Sequence, residues 1–455
     1  MEIVMRRLFG TDGIRGIANE FLSCERAIQI GRALGTILSS NRKYRPCVLI
    51  GMDTRVSSEM LASAISAGLC SVGSDCVNLG VVPTPAVAYL VQKYGAKAGV
   101  MISASHNPYP YNGIKIFGEE GFKLSDELEE QIESIVLDNT PPVRCAESDK
   151  IGRYSVAENA ISDYVDFIKS TSDISLSGMR IAIDCANGSA SATARALFSS
   201  LGAECHMLSA TPNGVNINEG CGSTDLGALK AYVKMNDMDV GIAFDGDADR
   251  FLAVDELGRE VDGDFIMAIL ALELKKQGKL RRDTVVGTIM TNFGFGKFCE
   301  ENGIRFIAAN VGDRYVLETL NREGYCFGGE QSGHIIFRDF ATTGDGQLTA
   351  LALLSVMKRS GKKLSELCSV MKRYPQRIVN IRTTPEGKIA MFTDEDIKKI
   401  ISSAEEKIGG RGRIVVRPSG TEPVVRIMIE GEDEKGTVEL CESVAAEIGE
   451  KLKEY

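Results

Sequence analysis

The segment 103–108 places a hydroxyl, an imidazole and an amide side by side in the sequence Ser-Ala-Ser-His-Asn-Pro. The apolar run at 98–102 that precedes it predicts a buried strand, so the polar cluster falls where the strand ends. A loop at that position can present the Ser105 hydroxyl to a cleft, while Pro108 restricts the backbone. Serine and histidine are both common in surface loops, so Ser105 becomes a candidate nucleophile only if distant residues supply its partners.

A second pattern alternates carboxylates with small residues in the segment 245–250. If the backbone forms a tight loop, which Gly246 permits, these carboxylates can converge on one hard divalent cation. The apolar flanks at 239–244 and 251–254 predict strands, and like charges between apolar flanks are costly unless a cation neutralises them. We therefore predict a magnesium site in a loop between two strands. Its carboxylates are those of Asp245, Asp247 and Asp249.

An EF-hand is an alternative interpretation of the same carboxylates, because Glu256 would occupy position twelve of such a calcium loop. Two features oppose this alternative. The sixth position of an EF-hand requires glycine and here is Arg250, and the predicted flanks are strands instead of helices. A solvated acidic turn that binds no ion is the other alternative.

Two further segments combine residue types that are suited to ligand binding. The segment 417–426 brings together arginines, hydroxyls and a Ser-Gly-Thr turn, which suits a phosphate. Its candidate residues are Arg417, Ser419, Gly420, Thr421 and Arg426. In the segment 328–334, Glu330 and Ser332 are suited to hydrogen bonds with sugar hydroxyls, and His334 lies beside them. A structural turn and a glycine-rich connector are the respective alternatives.

The elements that must position these segments form a weak internal repeat. Three stretches each begin with a short apolar strand that ends in a polar turn, at 47–55, 180–188 and 284–292. Each is followed by a helix-like stretch, a glycine and a second short strand, at 73–79, 202–208 and 303–309. Strand, helix and strand in this order imply a crossover connection with parallel pairing. The repeat therefore predicts three similar α/β domains with mixed, largely parallel sheets.

The last part of the chain differs in character and predicts a smaller α+β domain. Apolar residues alternate at 377–382, and a helical pattern of apolar residues ends at Leu452. With a charged, proline-bearing linker before residue 151, we place the domain boundaries along the whole chain. The domains are 1–150, 151–255, 256–372 and 373–455.

Composition narrows the classes of function. A chain of 455 residues exceeds what one hydrophobic core usually organises. The 52 basic and 62 acidic residues give a net charge of −10 without a basic block, which argues against a nucleic-acid partner. The twelve cysteines form no C-x-x-C pair and favour a reducing compartment. No secretory signal or bilayer-spanning run is recognisable, so we expect a cytoplasmic protein without a membrane partner.

Taken in order, the four motifs resemble those of the α-D-phosphohexomutase family, whose members have three related α/β domains and a fourth domain around one central cleft. The resemblance covers nearly the whole chain. Within the family, the segments 184–188, 217–224 and 329–334 are most similar to the bacterial branch that acts on glucosamine phosphates. Two positions depart from that branch, Asp225 where histidine is common and Tyr111 where aspartate is usual. These departures concern substrate preference more than the type of reaction.

The resemblance implies roles for the candidate residues. Ser105 would carry a phosphoryl group and, with the three aspartates, bind one Mg²⁺ per active site. The sugar hydroxyls would be bound at 330–334, and the phosphate that is not being transferred at 417–426. The implied catalytic set, in which the general acid and base are not separated, is Arg15, Ser105, His106, Lys115 and Arg250. For Lys115, a surface lysine on the strand predicted at 113–117 is the alternative.

The implied reaction interconverts glucosamine 6-phosphate and glucosamine 1-phosphate and feeds amino-sugar nucleotide and cell-wall synthesis. A hexose 1,6-bisphosphate would be its intermediate and activator, a small phosphosugar its partner, and a monomer or homodimer its assembly. A phosphomannomutase or phosphoglucomutase activity is one alternative. A phosphosugar-binding or phosphatase-like protein, in which phosphorylated Ser105 is inert or hydrolysed, is another.

Overall fold

The structure is a computed structural model and describes residues 7–10, 12–39, 45–419 and 423–455. The chain divides into two compact units. The first unit comprises Met1–Thr288 and Ala309–Cys368, and the second comprises Ile289–Ala308 and Ser369–Tyr455. Each unit contains candidate residues that the sequence predicts.

Short strands and helices alternate through most of the chain. The described strands are β1 (Ile14–Ile17), β2 (Cys47–Met52), β3 (Asp75–Val81), β4 (Ala98–Ile102), β5 (Tyr111–Gly118), β6 (Tyr154–Val156), β7 (Arg180–Asp184), β8 (Glu204–Leu208), β9 (Val240–Phe244), β10 (Phe251–Asp255), β11 (Glu260–Val261), β12 (Thr284–Thr288), β13 (Arg305–Ala309), β14 (Phe327–Gly329), β15 (Ile335–Phe337), β16 (Gln376–Arg382), β17 (Gly412–Pro418) and β18 (Val424–Gly431). The described helices are α1 (Cys24–Ser39), α2 (Val56–Ser71), α3 (Thr84–Lys93), α4 (Asp126–Asp138), α5 (Ala160–Ser170), α6 (Ala194–Ser200), α7 (Gly227–Met235), α8 (Gly263–Lys276), α9 (Phe293–Glu301), α10 (Asp313–Glu323), α11 (Gly346–Ser360), α12 (Leu364–Leu367), α13 (Pro385–Thr393), α14 (Glu395–Ile408) and α15 (Glu434–Leu452).

The first sheet of the first unit has the strand order β1-β5-β4-β2-β3-β6. Strand β2 pairs in parallel with β3 and β4, and β4 pairs antiparallel with β5. Apolar residues of α1 and α2, such as Leu34 and Ile65, are buried in one core with Val48 and Ile50 of β2. Since β2 and β4 are parallel neighbours, the loops that follow them leave the same edge of the sheet.

The second sheet has the order β11-β10-β9-β7-β8. Strand β7 pairs in parallel with β8 and β9, whereas β9 and β10 form an antiparallel hairpin. Every residue of β9 and β10 is buried, which explains the apolar runs at 240–244 and 251–254. Farther along the unit, β12 pairs in parallel with β14, and β14 forms an antiparallel hairpin with β15.

The second unit contains an antiparallel sheet of three strands in the order β16-β18-β17. Strand β18 is central, and its residues Val425, Ile427 and Ile429 are buried together with apolar residues of α14 and α15. Asp394 and Asp433 cap the N-termini of these two helices by accepting backbone N–H groups.

The architecture confirms the predicted fold class, with mixed and largely parallel sheets followed by a smaller α+β domain. The crossover pairing predicted for the first two repeats is present, because Cys47 lies opposite Asp75 and Arg180 lies opposite Glu204 in parallel register. The boundaries placed at 150, 255 and 372 stay predictions. Among the described residues, none of the helices has both the length and the apolar character required to cross a bilayer.

Candidate active site

The loop at 103–108, here called the serine loop, begins where β4 ends and is fixed from β2. The backbone N–H of Asp53, directly after β2, donates to the carbonyl of Ile102 at 2.9 Å. The Ser103 hydroxyl donates to Asp53 Oδ2 at 2.6 Å and accepts the N–H of Ser105 at 3.0 Å. Ser105 itself is buried and has a φ of +53°, in the left-handed region that side chains other than glycine seldom adopt.

The loop at 245–250, here called the acidic loop, connects the hairpin strands β9 and β10. Because strands and not helices flank it, the EF-hand alternative is wrong. Candidate ligand oxygens of Asp245, Asp247 and Asp249 all lie within 4.8 Å of one another. The predicted convergence of the three carboxylates is therefore present in the structure.

The sequence-based reason for Gly246 is wrong, although the glycine is needed. The residue of the acidic loop with a left-handed φ is Ala248, at +56°. A Cβ atom on Gly246 would lie 2.6 Å from the carbonyl oxygen of Ser105. Gly246 therefore lets the acidic loop approach the serine loop closely.

This approach joins the two principal motifs, which are 140 residues apart in the chain. The Ser105 hydroxyl donates to Asp245 Oδ2 at 2.7 Å. His106 Nδ1 lies 3.4 Å from Ser105 Oγ, which is long for a hydrogen bond between a hydroxyl and a ring nitrogen. Burial, together with the charges of Arg250 and Arg15, lowers the pKa of His106 to about 4, so its ring is neutral at pH 7.

The electrostatics of the acidic loop fit a hard divalent cation. Burial raises the pKa of Asp245 well above its ordinary value, and the charges of Asp247 and Asp249 raise it further. The Oδ1 atoms of Asp247 and Asp249 are buried without a hydrogen-bond partner among the described residues. Three converging carboxylates, two of which keep an oxygen without a donor, form a ligand set that Mg²⁺ and Ca²⁺ prefer.

Lys115 on β5 supplies a permanent positive charge to the same carboxylates. Its Nζ atom donates to Asp247 Oδ2 at 2.8 Å and to Asp249 Oδ2 at 3.3 Å. Burial by itself would lower the pKa of Lys115, but Asp12, Asp247 and Asp249 outweigh burial and raise it well above the ordinary value. The alternative of a surface lysine is wrong, since the side chain is 1% exposed.

Arg15 is connected to this cluster through Asp12. The guanidinium of Arg15, on β1, forms an ion pair with Asp12, whose carboxylate also lies 3.2 Å from Lys115 Nζ. Asp12 in turn accepts from Lys123 at 2.5 Å, and Lys123 also donates to Asp313 at 2.5 Å. The ion pairs thus continue from the acidic loop to the N-terminus of α10.

The hairpin loop between β14 and β15, here called the glutamate loop, contacts the acidic loop. The N–H of Phe251 donates to the carbonyl of Gly333 at 3.0 Å. His334 Nδ1 lies 3.7 Å from Asp249 Oδ1, and its Nε2 accepts the N–H of Gly344 at 3.0 Å. The half-buried Glu330 and Ser332 belong to the same turn, and Glu330 Oε1 accepts the N–H of Gly312 at 3.0 Å.

Arg250 completes the candidate residues of the first unit. Its N–H donates to Asp245 Oδ1 at 3.2 Å, and its Nε lies 3.9 Å from Asp249 Oδ1. Burial would lower the pKa of Arg250, but Asp245 and Asp249 more than offset burial and raise it. The first unit therefore brings the serine, acidic and glutamate loops together, with Lys115 and Arg15 beside them.

The remaining described candidates lie in the second unit at the paired ends of β17 and β18. They are Arg417, Ser419 and Arg426, and this region is here called the arginine loop. Arg417 lies directly opposite Arg426 in the antiparallel register. Burial lowers the pKa of the Arg417 guanidinium, and the neighbouring charge of Arg426 lowers it further. Ser419 is buried, and its carbonyl accepts from Lys388 Nζ at 2.6 Å. The predicted Gly420 and Thr421 lie outside the described residues.

Sequence reasoning missed several residues that contact the candidates directly, among them Thr84 and Lys388. The Thr84 hydroxyl donates to Asp247 Oδ2 at 2.6 Å, and the Thr84 N–H donates to the carbonyl of Asp247 at 2.9 Å. Its sequence signal, a threonine before Pro85, is that of an ordinary helix start. Lys388 carries no signal of its own, because it lies 31 residues from Ser419 on the separate helix α13.

A serine hydroxyl beside three carboxylates that could hold a cation, with a lysine held as ammonium, is typical of an enzyme that transfers phosphoryl groups. Such transfer depends mainly on alignment of the reacting oxygens and neutralisation of phosphate charge.

Comparison with known families agrees with this class. Models of the phosphoglucomutase/phosphomannomutase family match the chain in four consecutive ranges. These are α/β/α domain I at 6–142, domain II at 162–258, domain III at 262–374 and the C-terminal domain at 378–447. Together they cover most of the chain, which therefore belongs to the phosphoglucomutase/phosphomannomutase family and is a phosphohexomutase of the isomerase class.

Individual relatives match the chain over nearly its full length. The phosphoglucosamine mutase of Acetivibrio thermocellus is 51% identical over 98% of this chain and all of that protein. The phosphoglucosamine mutase of Clostridium botulinum (strain Kyoto) is 49% identical over 99% of this chain and all of that protein. A phosphoglucomutase/phosphomannomutase family protein from Burkholderia thailandensis has the same fold, with a TM-score of 0.83, 23% identity and 97% of each chain covered.

Proposed function

We propose that this phosphohexomutase is a phosphoglucosamine mutase, which interconverts glucosamine 6-phosphate and glucosamine 1-phosphate. Phosphorylated Ser105 would donate its group to the substrate, and a bisphosphate intermediate would return the phosphate from its other end. The observation that carries the proposal is the 2.7 Å contact between Ser105 Oγ and Asp245 inside a cluster of three carboxylates. The full-length relatives named phosphoglucosamine mutase support the choice of substrate.

The acidic loop would hold one Mg²⁺. Asp245, Asp247 and Asp249 supply carboxylate ligands, and an oxygen of phosphorylated Ser105 completes the protein's contribution. Bound there, the ion would neutralise charge on the transferring phosphoryl group. The contacts that Thr84 and Lys115 make with Asp247 keep this carboxylate in a fixed orientation for its ligand role.

The cationic residues of the first unit act on charge and orientation. With a raised pKa, Lys115 stays an ammonium at pH 7, so its role is to stabilise phosphate charge and not to remove a proton. Arg15 and Arg250 are arginines and remain charged for the same task. The neutral ring of His106 lies beside Ser105, where it can hydrogen-bond substrate without adding charge.

Substrate recognition divides between sugar and phosphate. Glu330, Ser332 and His334 would bind hydroxyls that the sugar presents in both of its orientations. The residues that would bind the phosphate not being transferred are Arg417, Ser419, Gly420, Thr421 and Arg426. Two arginines directly opposite each other suit a dianion, whose charge offsets their mutual repulsion.

This assignment gives the protein a small phosphosugar as its partner, with a hexose 1,6-bisphosphate as activator. Its product would supply the synthesis of UDP-N-acetylglucosamine and peptidoglycan precursors in the cytoplasm. The protein would act as a monomer or a homodimer.

A substrate panel tests the proposal. Purified protein with Mg²⁺ and a trace of hexose 1,6-bisphosphate is assayed on glucosamine, glucose and mannose monophosphates, with Ser105→Ala as the control. We expect the highest kcat/KM on glucosamine phosphates and loss of turnover in Ser105→Ala. Higher kcat/KM on glucose or mannose phosphates would contradict the substrate, and release of inorganic phosphate without isomerisation would contradict the reaction.

A further inference from the structure

Arg55 takes no part in the function proposed above, yet its side chain is fully buried next to the serine loop. It stands at the N-terminus of α2, two residues after Asp53. Its Nε donates to Asp53 Oδ2 at 2.8 Å, so the buried charge has a buried partner. A buried ion pair requires further hydrogen bonds to offset its desolvation, and the serine loop provides them.

All five N–H groups of the Arg55 guanidinium have acceptors. Besides Nε, each terminal nitrogen donates to two backbone carbonyls of the serine loop or of the residue at which β5 begins. Nη1 contacts the carbonyls of Pro108 at 2.6 Å and Tyr111 at 2.9 Å, and Nη2 contacts those of Ser105 at 2.9 Å and Asn107 at 2.7 Å. One side chain therefore fixes four carbonyls of the backbone that presents Ser105.

The partner carboxylate is tied to the same loop. Asp53 also accepts the hydroxyls of Ser58 at 2.7 Å and Ser103 at 2.6 Å, and Ser103 accepts the N–H of Ser105. Ser105 is thus held by its N–H through Asp53 and by its carbonyl through Arg55. Both members of the ion pair between Arg55 and Asp53 therefore constrain the backbone of Ser105.

A second donor to the serine loop lies between β8 and α7. Asn218 Nδ2 donates to the carbonyl of Ser105 at 2.9 Å and to that of Asn107 at 3.1 Å. These are the two carbonyls that Arg55 Nη2 contacts. The left-handed φ of Ser105 costs about 1 kcal/mol for a residue with a side chain, so it persists only where such contacts over-determine it.

We propose that Arg55 is a positioning residue for phosphoryl transfer, and that Asn218 supports it by donating to two of the same carbonyls. By fixing the carbonyls of the serine loop, Arg55 keeps Ser105 Oγ at the acidic loop in a backbone conformation that serine does not favour. The inference rests on the proposed function of Ser105 and adds a residue that touches neither the substrate nor the carboxylates of the acidic loop. Its action is on the rate of transfer and not on substrate affinity.

The test measures single-turnover transfer of phosphate from a labelled hexose 1,6-bisphosphate to Ser105. Arg55→Lys keeps the charge beside Asp53 but offers three donors where five are used. We expect its transfer rate to fall about 100-fold, the loss that a displacement of about 1 Å produces, while KM stays within about threefold. Arg32→Lys is the matched control, because Arg32 lies on α1 and donates to Ser71.

Asn218→Ala provides a second variant if Arg55→Lys folds poorly. We expect a loss of about tenfold in transfer rate with a near-wild-type KM, and a lower thermal unfolding midpoint, because two hydrogen bonds are lost and alanine disfavours the left-handed φ of +59° at this position. Because both side chains donate to the same two carbonyls, the double variant should lose less than the product of the single losses. Wild-type transfer rates in either single variant would overturn the inference.

The outcomes separate this inference from the proposed function. A wild-type protein that takes no label on Ser105 would overturn the proposed function and, with it, the role of Arg55. A labelled wild type with an equally fast Arg55→Lys variant would overturn the role of Arg55 alone. An equal loss of rate in Arg32→Lys would also overturn it, because the effect would then not depend on the serine loop.

Discussion

The acidic loop of the first unit and the arginine loop of the second both place like charges next to each other. Three buried carboxylates have ligand oxygens within 4.8 Å in the first, and Arg417 lies opposite Arg426 in the second. Like charges so arranged destabilise the free protein. Their opposite signs fit the proposal that the acidic loop binds a cation and the arginine loop an anion.

A lysine lies next to each loop, and its charge has the opposite effect in the two places. In the acidic loop, Lys115 is buried against Asp247 and Asp249 and remains an ammonium. In the arginine loop, the nearby Lys388 adds another positive group and contacts a carbonyl oxygen. Lys115 thus partly neutralises the acidic loop before any ligand binds, whereas Lys388 adds positive charge next to the arginine loop. Substitutions should therefore affect the two loops differently.

The largest expected effect is at the acidic loop. Asp245→Asn removes a charged ligand but leaves the contacts of Lys115 intact. We expect turnover to fall at least about 10³-fold and not to recover with excess Mg²⁺. Asp239→Asn, an exposed carboxylate just before the same hairpin, should retain wild-type turnover. Full turnover in Asp245→Asn would show that the three carboxylates do not act as a cation site.

The next effect is on stability in the second unit. Arg413 on β17 forms an ion pair with the buried Glu430 at 2.6 Å. Arg413→Gln removes the ion-pair partner of that buried carboxylate, and we expect a loss of about 3 kcal/mol in the free energy of unfolding, with little change in KM. Urea unfolding monitored by circular dichroism measures the loss. An unchanged midpoint would show that the ion pair with Glu430 does not give Arg413 a structural role different from that of Arg417.

Arg417→Gln should weaken substrate binding and should not lower stability. Removal of a charge-assisted contact worth about 2 kcal/mol should raise the KM for glucosamine 6-phosphate about 30-fold. The unfolding midpoint should be unchanged or higher, because the cross-strand repulsion with Arg426 is removed. Arg377→Gln, whose partner Glu442 is exposed, is the matched control and should change neither quantity. A lower midpoint with an unchanged KM would assign Arg417 a structural role.

The smallest expected effect is the gain in stability when each loop binds its ion. At ten times its dissociation constant, a ligand adds about 1.4 kcal/mol to stability. Mg²⁺ should stabilise Arg417→Gln but not Asp245→Asn, and inorganic phosphate should stabilise Asp245→Asn but not Arg417→Gln. Thermal unfolding with each ion checks this pattern. If one ion stabilised both variants equally, its site would be neither loop.

The sequence was most informative where local pattern determines structure. The apolar run before the serine loop became β4 with the predicted bounds, and the flanks of the acidic loop became the hairpin of β9 and β10. Strand ends place polar loops predictably, but the proximity of Ser105 to the acidic loop was expected only from the resemblance to a family. The resemblance to a family was needed to assign the roles.

The parts that could not be predicted depend on contacts between distant residues. Arg55 lies 50 residues from Ser105, and nothing in its neighbourhood indicates that it contacts the serine loop. Thr84 lies 163 residues from Asp247 and has the local pattern of a helix start. Gly246 was explained by its backbone freedom, whereas its close approach to the carbonyl of Ser105 is what excludes a side chain.

The central claim is that Ser105 carries the phosphate that reaches the sugar. Protein incubated with ³²P-labelled hexose 1,6-bisphosphate is separated from the label and divided into two portions. One portion is digested for peptide mapping, and the other is mixed with unlabelled glucosamine 6-phosphate. We predict label on the peptide that contains Ser105 and its transfer into hexosamine phosphates. Label on another residue, or its appearance as inorganic phosphate, would contradict the claim.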